Sequence, residues 1–409
     1  MLDVEDYIVI NEGKARLKVP NPRKYVRPDG VYEPSWAPVF YNPKQVFNRD
    51  ISTLALKVLA KVFPRPIKVL DALAGTGVRA IRYALEVPEV DCAIANDISE
   101  DAHKLIIENI TLNNISSKVR ATRLDANALM YLFKSLGRTF SFIDVDPFGS
   151  PAPYVRGALW AVRRGGALGI TATDTAPLFG VKWVAGSRKY DTRLIKTDVP
   201  AEVGIRVLIG YVARRAAELD RFIKPLFAFT KHHYVRLLIS VRKSAAEASR
   251  ILEERIGFML YCRACLYRSL VSMQDVCDGI ESFKCPACGS SLTLIGPLWI
   301  GPIGDTEFLA DLLKESNNVE NAYMKSIKSI RELIEIMLRE AALPNLYSTV
   351  SAARSLRINT PPTEKVIKCL TLRGFNACRS HLGGHYVRTN ASWNEFLRCF
   401  EDGSIQSPQ

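Results

Sequence analysis

From residue 67 to residue 171, short apolar runs alternate with stretches whose apolar positions recur every three or four residues. Runs of the first kind predict buried strands, and stretches of the second kind predict amphipathic helices. Strands are expected at Ile67–Leu70, Val90–Ala95, Val119–Leu124, Phe140–Val145 and Gly166–Thr171. Helices are expected between them at Val78–Leu85, Asp101–Asn109, Ala126–Phe133 and Tyr154–Val162. A preceding helix, Ile51–Phe63, is ended by Pro64 and Pro66. This alternation predicts an α/β fold with a mostly parallel, doubly wound sheet. The rhythm then stops. Phe227–Phe229 and Tyr234–Val241 read as two more strands, an antiparallel pair at the sheet edge. Asp305–Leu343 reads as helical, and a last α+β segment is punctuated by Pro361-Pro362 and Gly383-Gly384. The first 50 or so residues are polar and Pro-rich, with scattered aromatics (Tyr25, Tyr32, Trp36, Phe40, Tyr41), and predict no element.

The ends of the predicted strands carry the chemistry. Asp71-Ala72-Leu73-Ala74-Gly75-Thr76-Gly77 joins a strand to a helix, and its glycines allow close backbone approach to a ligand at a helix N-terminus. The next strand runs into Asp97, where a carboxylate can hold both hydroxyls of a ribose. Asp125-Ala126 follows the third strand and suits the amine and ring edge of an adenine. Gly75 to Ala80 also fits the looser dinucleotide fingerprint, so an NAD-binding oxidoreductase competes. A carboxylate at position 71 is unwelcome beside a pyrophosphate, yet it suits the amino end of S-adenosylmethionine. After the fourth strand stands Asp146-Pro147-Phe148-Gly149. The Asp146 side chain and carbonyl can accept hydrogen bonds from an amino group, and the Phe148 ring can stack on the flat base that carries it. Such a group has no role in hydride transfer.

Length and composition widen the picture. A chain of 409 residues exceeds one ordinary core and implies two or three domains. A net charge of +13 favours a polyanion, most often nucleic acid. Lys182, Arg188, Lys189, Arg193 and Lys196 form one basic cluster suited to phosphates, and Arg373, His381, His385 and Arg388 form another. No apolar run is long enough to span a bilayer, and the acidic start Met1–Asp6 is no signal peptide, which points to the cytoplasm. Of nine cysteines, Cys262, Cys265, Cys285 and Cys288 form two CxxC knuckles with the spacing of a structural zinc ribbon. Cys277 lies between the knuckles and competes as a ligand. Cys92, Cys369, Cys378 and Cys399 read as small apolar residues.

Leu70 to Arg79, Asn96-Asp97, Leu124 to Ala126 and Asp144 to Gly149 together resemble the tRNA (guanine-26-N2) dimethyltransferase family, archaeal type. Phe40 to Pro43, Asn48 to Asp50, Lys231 to Arg236 and the tail from Pro361 to Thr389 extend the resemblance over nearly the whole chain. His232 departs from the acid usual in that family, and Ser380-His381 stands where a Thr-His is common. The resemblance implies a Rossmann-like methyltransferase sheet over residues 1–245, with an N-terminal extension. It implies an α+β domain that binds tRNA over residues 246–409, the zinc ribbon lying within 258–295. It places Arg49, Arg79, Asp97, Asp125 and Ala126 at S-adenosylmethionine, beside the Asp71, Gly75 and Gly77 of the glycine loop. It makes Asp146, with Pro147, the catalytic acceptor, and it sets Phe40 and Phe148 around the guanine. Two alternatives stand beside this reading: an adenine-N6 methyltransferase, and a zinc-containing RNA-binding protein with a vestigial methyltransferase fold. The oligomeric state stays open, a monomer being compatible with everything above.

Overall fold

A computed structural model describes residues 6–278 and 283–401. The chain forms two compact, interleaved units. Of the described residues, the first unit comprises 6–171, 238–242 and 310–332, and the second comprises 172–237, 243–278, 283–309 and 333–401.

The first unit opens with an antiparallel hairpin, β1 (Tyr7–Glu12) and β2 (Ala15–Pro20), which the polar N-terminal sequence did not announce. Helix α1 (Val46–Ala60) starts five residues before its predicted position and is buried almost all round. The βαβ series follows: β3 (Ile67–Asp71), α2 (Val78–Glu86), β4 (Val90–Asn96), α3 (Glu100–Leu112), β5 (Val119–Thr122), α4 (Ala126–Ser135), β6 (Phe140–Val145), α5 (Ala152–Ala161) and β7 (Val162–Ala172). Several predicted boundaries move. Strand β5 stops at Thr122, because the amide of Leu124 bonds to the Asn96 side chain instead of a ladder. Helix α5 starts at Ala152, with Pro151 as its N-cap, and gives Val162 to the next strand. Strand β7 therefore starts four residues early, Gly165 turning its first part at a positive φ. The strands pair in parallel in the order β5-β4-β3-β6-β7. β6 is buried at every position, which explains its unbroken apolar run.

In the second unit, α6 (Thr175–Leu178), α7 (Trp183–Tyr190) and α8 (Pro200–Ala217) precede β8 (Arg221–Lys231). β9 (Tyr234–Lys243) follows through the two residues His232 and His233, with His232 at φ 51°. In sheet order β9 stands beside β7, and β8 beside β9. The expected strand pair at the sheet edge is therefore present. After α9 (Ala245–Arg255), a three-stranded sheet forms in the order β11-β10-β12 from β10 (Ile256–Cys262), β11 (Arg268–Ser272) and β12 (Leu292–Trp299), with α10 (Met273–Cys277) alongside in sequence. The helical stretch contains α11 (Thr306–Ser316) and α12 (Ile327–Glu340), whose residues 310–316 and 327–332 belong to the first unit. The last segment is β13 (Asn345–Ser348), α13 (Thr349–Leu356), α14 (Thr363–Leu372), β14 (Ala377–Ser380), β15 (Gly383–Thr389) and α15 (Trp393–Glu401), its sheet ordered β13-β15-β14.

Two expectations fail in this last segment. Cys369 and Cys399 are not separate apolar residues: packing of α14 on α15 brings their Cα atoms to 5.8 Å, and they form a disulfide. His381 and Arg388 are not surface cations. Both side chains are buried, His381 against Glu340, and Arg388 against Glu202 (3.1 and 2.5 Å) and Glu340 (3.7 Å). They tie β15 and the turn before it internally to α8 and α12, so of this cluster only Arg373 and His385 stay on the surface. Removing one partner of such a buried pair costs about 3–5 kcal/mol.

Candidate active site

The parallel strands of the first unit bring their carboxyl ends together, where such sheets bind ligands. Gly75 and Gly77 have φ of 53° and 78°, conformations costly for any other residue, and Gly77 caps α2. A Cβ on Gly75 would meet the Phe40 carbonyl oxygen at 2.9 Å. Glycine is thus needed twice, for the turn and for the segment around Phe40 that lies over it. Asp97 fixes this loop by accepting from the Gly75 amide at 2.8 Å and from the Ser99 amide at 3.0 Å. Each of its oxygens keeps a second lone pair for a hydroxyl. Asp125 is exposed, caps α4 through the Ala128 amide at 2.9 Å, and is followed by buried Ala126.

Asp71 lies at the end of β3, almost wholly buried, and neither carboxylate oxygen has a hydrogen-bond partner. Burial, and then the neighbouring Asp144 carboxylate, push its pKa up to about 8. A buried acid without a partner, under a glycine loop, suits a cationic group supplied by a ligand. The loop, the three acids and Ala126 therefore fit an adenosyl cofactor that carries an amino acid.

Asp146, 19% exposed, follows β6. Its Oδ2 accepts from Arg79 Nε at 3.1 Å and from Arg79 Nη2, while Oδ1 has no partner among the described residues. Arg79 reaches Asp144 as well, Nη1 standing 3.7 Å from Oδ2, and Tyr83 donates to that same oxygen at 2.6 Å. Burial opposes the Arg79 charge, but Asp144 and Asp146 hold it firmly protonated. Pro147 is buried, and Phe148 projects outward at 69% exposure. The Phe40 ring meets Phe148 edge to face, with centroids 4.5 Å apart. Two aromatic rings thus stand beside an unpaired carboxylate oxygen.

Arg49 faces a different acid. Glu12 accepts from its Nε and Nη2 at 2.6 Å each, and the Asn42 carbonyl accepts from Nη2 at 3.1 Å. Burial would raise the Glu12 pKa, but Arg49, with Arg82 and the Tyr41 hydroxyl, lowers it to about 2. Among the described residues, Nη1 of Arg49 is left uncommitted.

One residue of the site carries no chemistry in the sequence reading. Asn96 is buried and donates to the carbonyls of Ala72 (3.1 Å) and Leu124 (2.9 Å), while its oxygen accepts from the Leu124 amide (3.1 Å) and Thr122 (2.9 Å). It ties three strand ends into one floor. Its only signal was its place in the Asn96-Asp97 pair.

In the second unit, Cys262, Cys265, Cys285 and Cys288 gather with all four sulfurs within 4.8 Å of one another. Cys277 ends α10, is exposed, and lies outside this group. Four thiols in such a cluster match the donor set of a tetrahedral metal site with bonds of about 2.3 Å. Among the described residues, no helix is long and apolar enough to cross a membrane.

A model of the N2,N2-dimethylguanosine tRNA methyltransferase family matches residues 13–401. The tRNA (guanine(26)-N(2))-dimethyltransferase of Metallosphaera sedula is 37% identical over 393 residues, 96% of each chain. The tRNA (guanine(26)-N(2)/guanine(27)-N(2))-dimethyltransferase of Aquifex aeolicus is 35% identical over 397 residues, again 96% of each. The structure of Trm1 from Pyrococcus horikoshii with S-adenosyl-L-methionine superposes with a TM-score of 0.81 and 32% identity, over 96% of this chain and 99% of that one.

Proposed function

The chain belongs to the N2,N2-dimethylguanosine tRNA methyltransferase family, and from that premise we propose the role of each residue in its reaction. It is an S-adenosylmethionine-dependent tRNA (guanine-N2)-dimethyltransferase, and its target is guanine 26. The cofactor supplies an activated sulfonium methyl group. Asp71 meets its ammonium, Arg49 Nη1 its carboxylate, Asp97 its ribose hydroxyls, and Asp125 with Ala126 its adenine. Gly75 and Gly77 let the backbone approach, and Arg79 acts at the border between cofactor and base.

The exocyclic nitrogen of guanine is a poor nucleophile because its lone pair is delocalised into the ring. Asp146 Oδ1 and the Asp146 carbonyl accept its hydrogens and turn the lone pair toward the methyl group. As the new N–C bond forms and the C–S bond breaks, Asp146 Oδ1 takes the proton that the nitrogen sheds. Pro147 stiffens the turn that aims both acceptors, and positioning at about 3–3.5 Å dominates such a displacement. A guanine stacked in RNA cannot reach Asp146, so it must flip out. Phe40 and Phe148 then replace its lost stacking, a contact worth roughly 1–3 kcal/mol per base.

The observation that carries this reading is the unpaired Asp146 Oδ1 beside the Phe40–Phe148 pair. Residues 1–245 form the methyltransferase part, and residues 246–409 the tRNA-binding part. Zn2+ is held by Cys262, Cys265, Cys285 and Cys288 as a structural ion, and the protein works in the cytoplasm. The complete acid set speaks against a vestigial fold, and the family match speaks against adenine-N6 chemistry. The test is methylation of unmodified tRNA followed by nucleoside analysis. N2,N2-dimethylguanosine is expected, and methyl-free guanosine, or methyl groups on adenine, would overturn the reading. The name of the Aquifex aeolicus relative adds guanine 27 as a second target. Mapping the modified positions separates guanine 26 alone from both.

A further inference from the structure

The second unit holds a groove of about 650 Å³ lined by Gly180, Val181, Trp183, residues 193–196, Tyr261 and Arg263. Its walls come from three places in the chain and are fastened by backbone contacts. Arg193 and Gly296 exchange two hydrogen bonds, at 2.8 and 3.0 Å. Gly180, at φ 75°, packs so closely that a Cβ would lie 2.1 Å from the Ile195 carbonyl oxygen. The groove is therefore preformed.

Two properties of this groove point to one partner. Arg193, Lys196 and Arg263 are exposed, and none of them forms an ion pair among the described residues. The neighbouring acid, Asp198, is already matched by Arg268 at 2.7 Å and by the Tyr261 hydroxyl at 3.0 Å. The lining thus presents three free cations and no carboxylate. At the mouth stand Val181, Trp183 and Val184, each more than half exposed. Three apolar side chains exposed side by side and rimmed by free cations form the kind of patch that marks an interaction site. A polyanion whose units carry aromatic faces satisfies both features together.

We infer that this groove binds an unpaired nucleotide stretch of the tRNA, one base stacking on Trp183 and the adjoining phosphates meeting Arg193, Lys196 and Arg263. The inference rests on the tRNA methyltransferase reading and adds to it a binding site and a residue that grips substrate without taking part in the chemistry. Arg263 lies between two cysteines of the metal cluster, so an ordered knuckle would also set one phosphate contact. An acidic peptide would satisfy the cations but not the ring.

The test compares wild type with Trp183→Ala, Trp183→Phe and Arg193→Ala, using binding and methylation of unmodified tRNA. Trp183→Ala should raise Kd and KM for tRNA about 5- to 150-fold while kcat and S-adenosylmethionine affinity hold. Trp183→Phe should recover most of the loss, since a ring is restored. Arg193→Ala should reduce the salt slope of tRNA binding by about 1. Methylation by wild type with an unchanged KM in Trp183→Ala overturns the groove and leaves the enzyme reading intact. Competition by poly-glutamate as strong as by oligonucleotide also overturns it. Failure of wild type to methylate tRNA at all sinks the enzyme reading, and the groove loses its partner with it.

Discussion

Arg79 places Nε and Nη2 on a single oxygen of Asp146, Oδ2, and leaves Oδ1 without a partner among the described residues. A carboxylate held this way has one half anchored and one half available. The available half is the acceptor that an exocyclic amino group needs, and the anchored half fixes its direction.

Asp146→Ala should abolish methyl transfer to tRNA and leave S-adenosylmethionine binding nearly unchanged. The measurements are transfer of a labelled methyl group and calorimetry with the cofactor. Asp146→Asn is the sharper variant, since it keeps the shape but cannot take a proton. A kcat within tenfold of wild type in either variant would remove Asp146 from the chemistry.

Arg79→Lys keeps a positive charge but loses the planar fork that grips Oδ2 from two nitrogens. Asp146 should then rotate, and kcat should fall about 10- to 100-fold, as expected for a misplaced reacting group. KM for tRNA should change little, because Arg79 is buried and its contacts are with Asp146 and Asp144. A loss in KM alone would show that Arg79 serves binding and not the aim of Asp146.

The alternation of apolar strands and amphipathic helices made the parallel sheet legible, and Asp71, Asp97, Asp125 and Asp146 were legible because each closes a strand. The N-terminal hairpin was not. β1 and β2 do carry a strand signal, Tyr7-Ile8-Val9-Ile10 and then Ala15, Leu17 and Val19 in alternation on either side of Gly13, which the polar, Pro-rich remainder of the first 50 residues masked. Glu12 at the end of β1 is an acid buried beside Arg49 and Arg82. Such long-range charge pairing leaves no local pattern. His381 and Arg388 misled for the same reason: their partners, Glu340 and Glu202, lie 41 and 186 residues away. The 18-residue α8 was missed because it is buried on nearly all sides and so lacks an amphipathic stripe.

Asp71 gives a pH prediction of definite sign. Its pKa is raised from 3.8 to about 8 in the folded protein, first by burial and then by Asp144. The folded state therefore holds a proton that the unfolded state releases, and the stability this contributes is lost as pH rises toward 8. Asp71→Asn, which cannot ionise, should match wild type near pH 4 and exceed it by several kcal/mol at pH 8. S-adenosylmethionine should narrow the gap at pH 8, because its ammonium neutralises the Asp71 carboxylate. Denaturant titrations at the two pH values, with and without cofactor, measure this. A gap that is constant with pH would rule it out.

Purified protein should carry one equivalent of zinc, and chelation should lower the stability of the second unit while leaving S-adenosylmethionine binding in place. Cys265→Ser and Cys288→Ser should each remove the metal, whereas Cys277→Ser should retain it, since Cys277 lies outside the cluster. Elemental analysis of the variants checks each statement. Zinc lost from Cys277→Ser would place a fifth thiol in the site.

The Cys369–Cys399 disulfide links α14 to α15 across 30 residues of chain. Cross-links of this span remove about 3–4 kcal/mol of conformational entropy from the unfolded chain. Cys399 is fully buried with Trp393, Phe396 and Phe400, and Cys369 packs partly buried against that cluster, so the bridge joins the core of the last segment to its edge. Cys399→Ser should therefore lower Tm, and dithiothreitol should lower wild type to about the same value under unfolding conditions. The variant itself should be insensitive to the reductant. Thermal melts of both proteins with and without dithiothreitol decide the matter. Equal melts for wild type in both buffers would mean that packing alone holds α14 on α15.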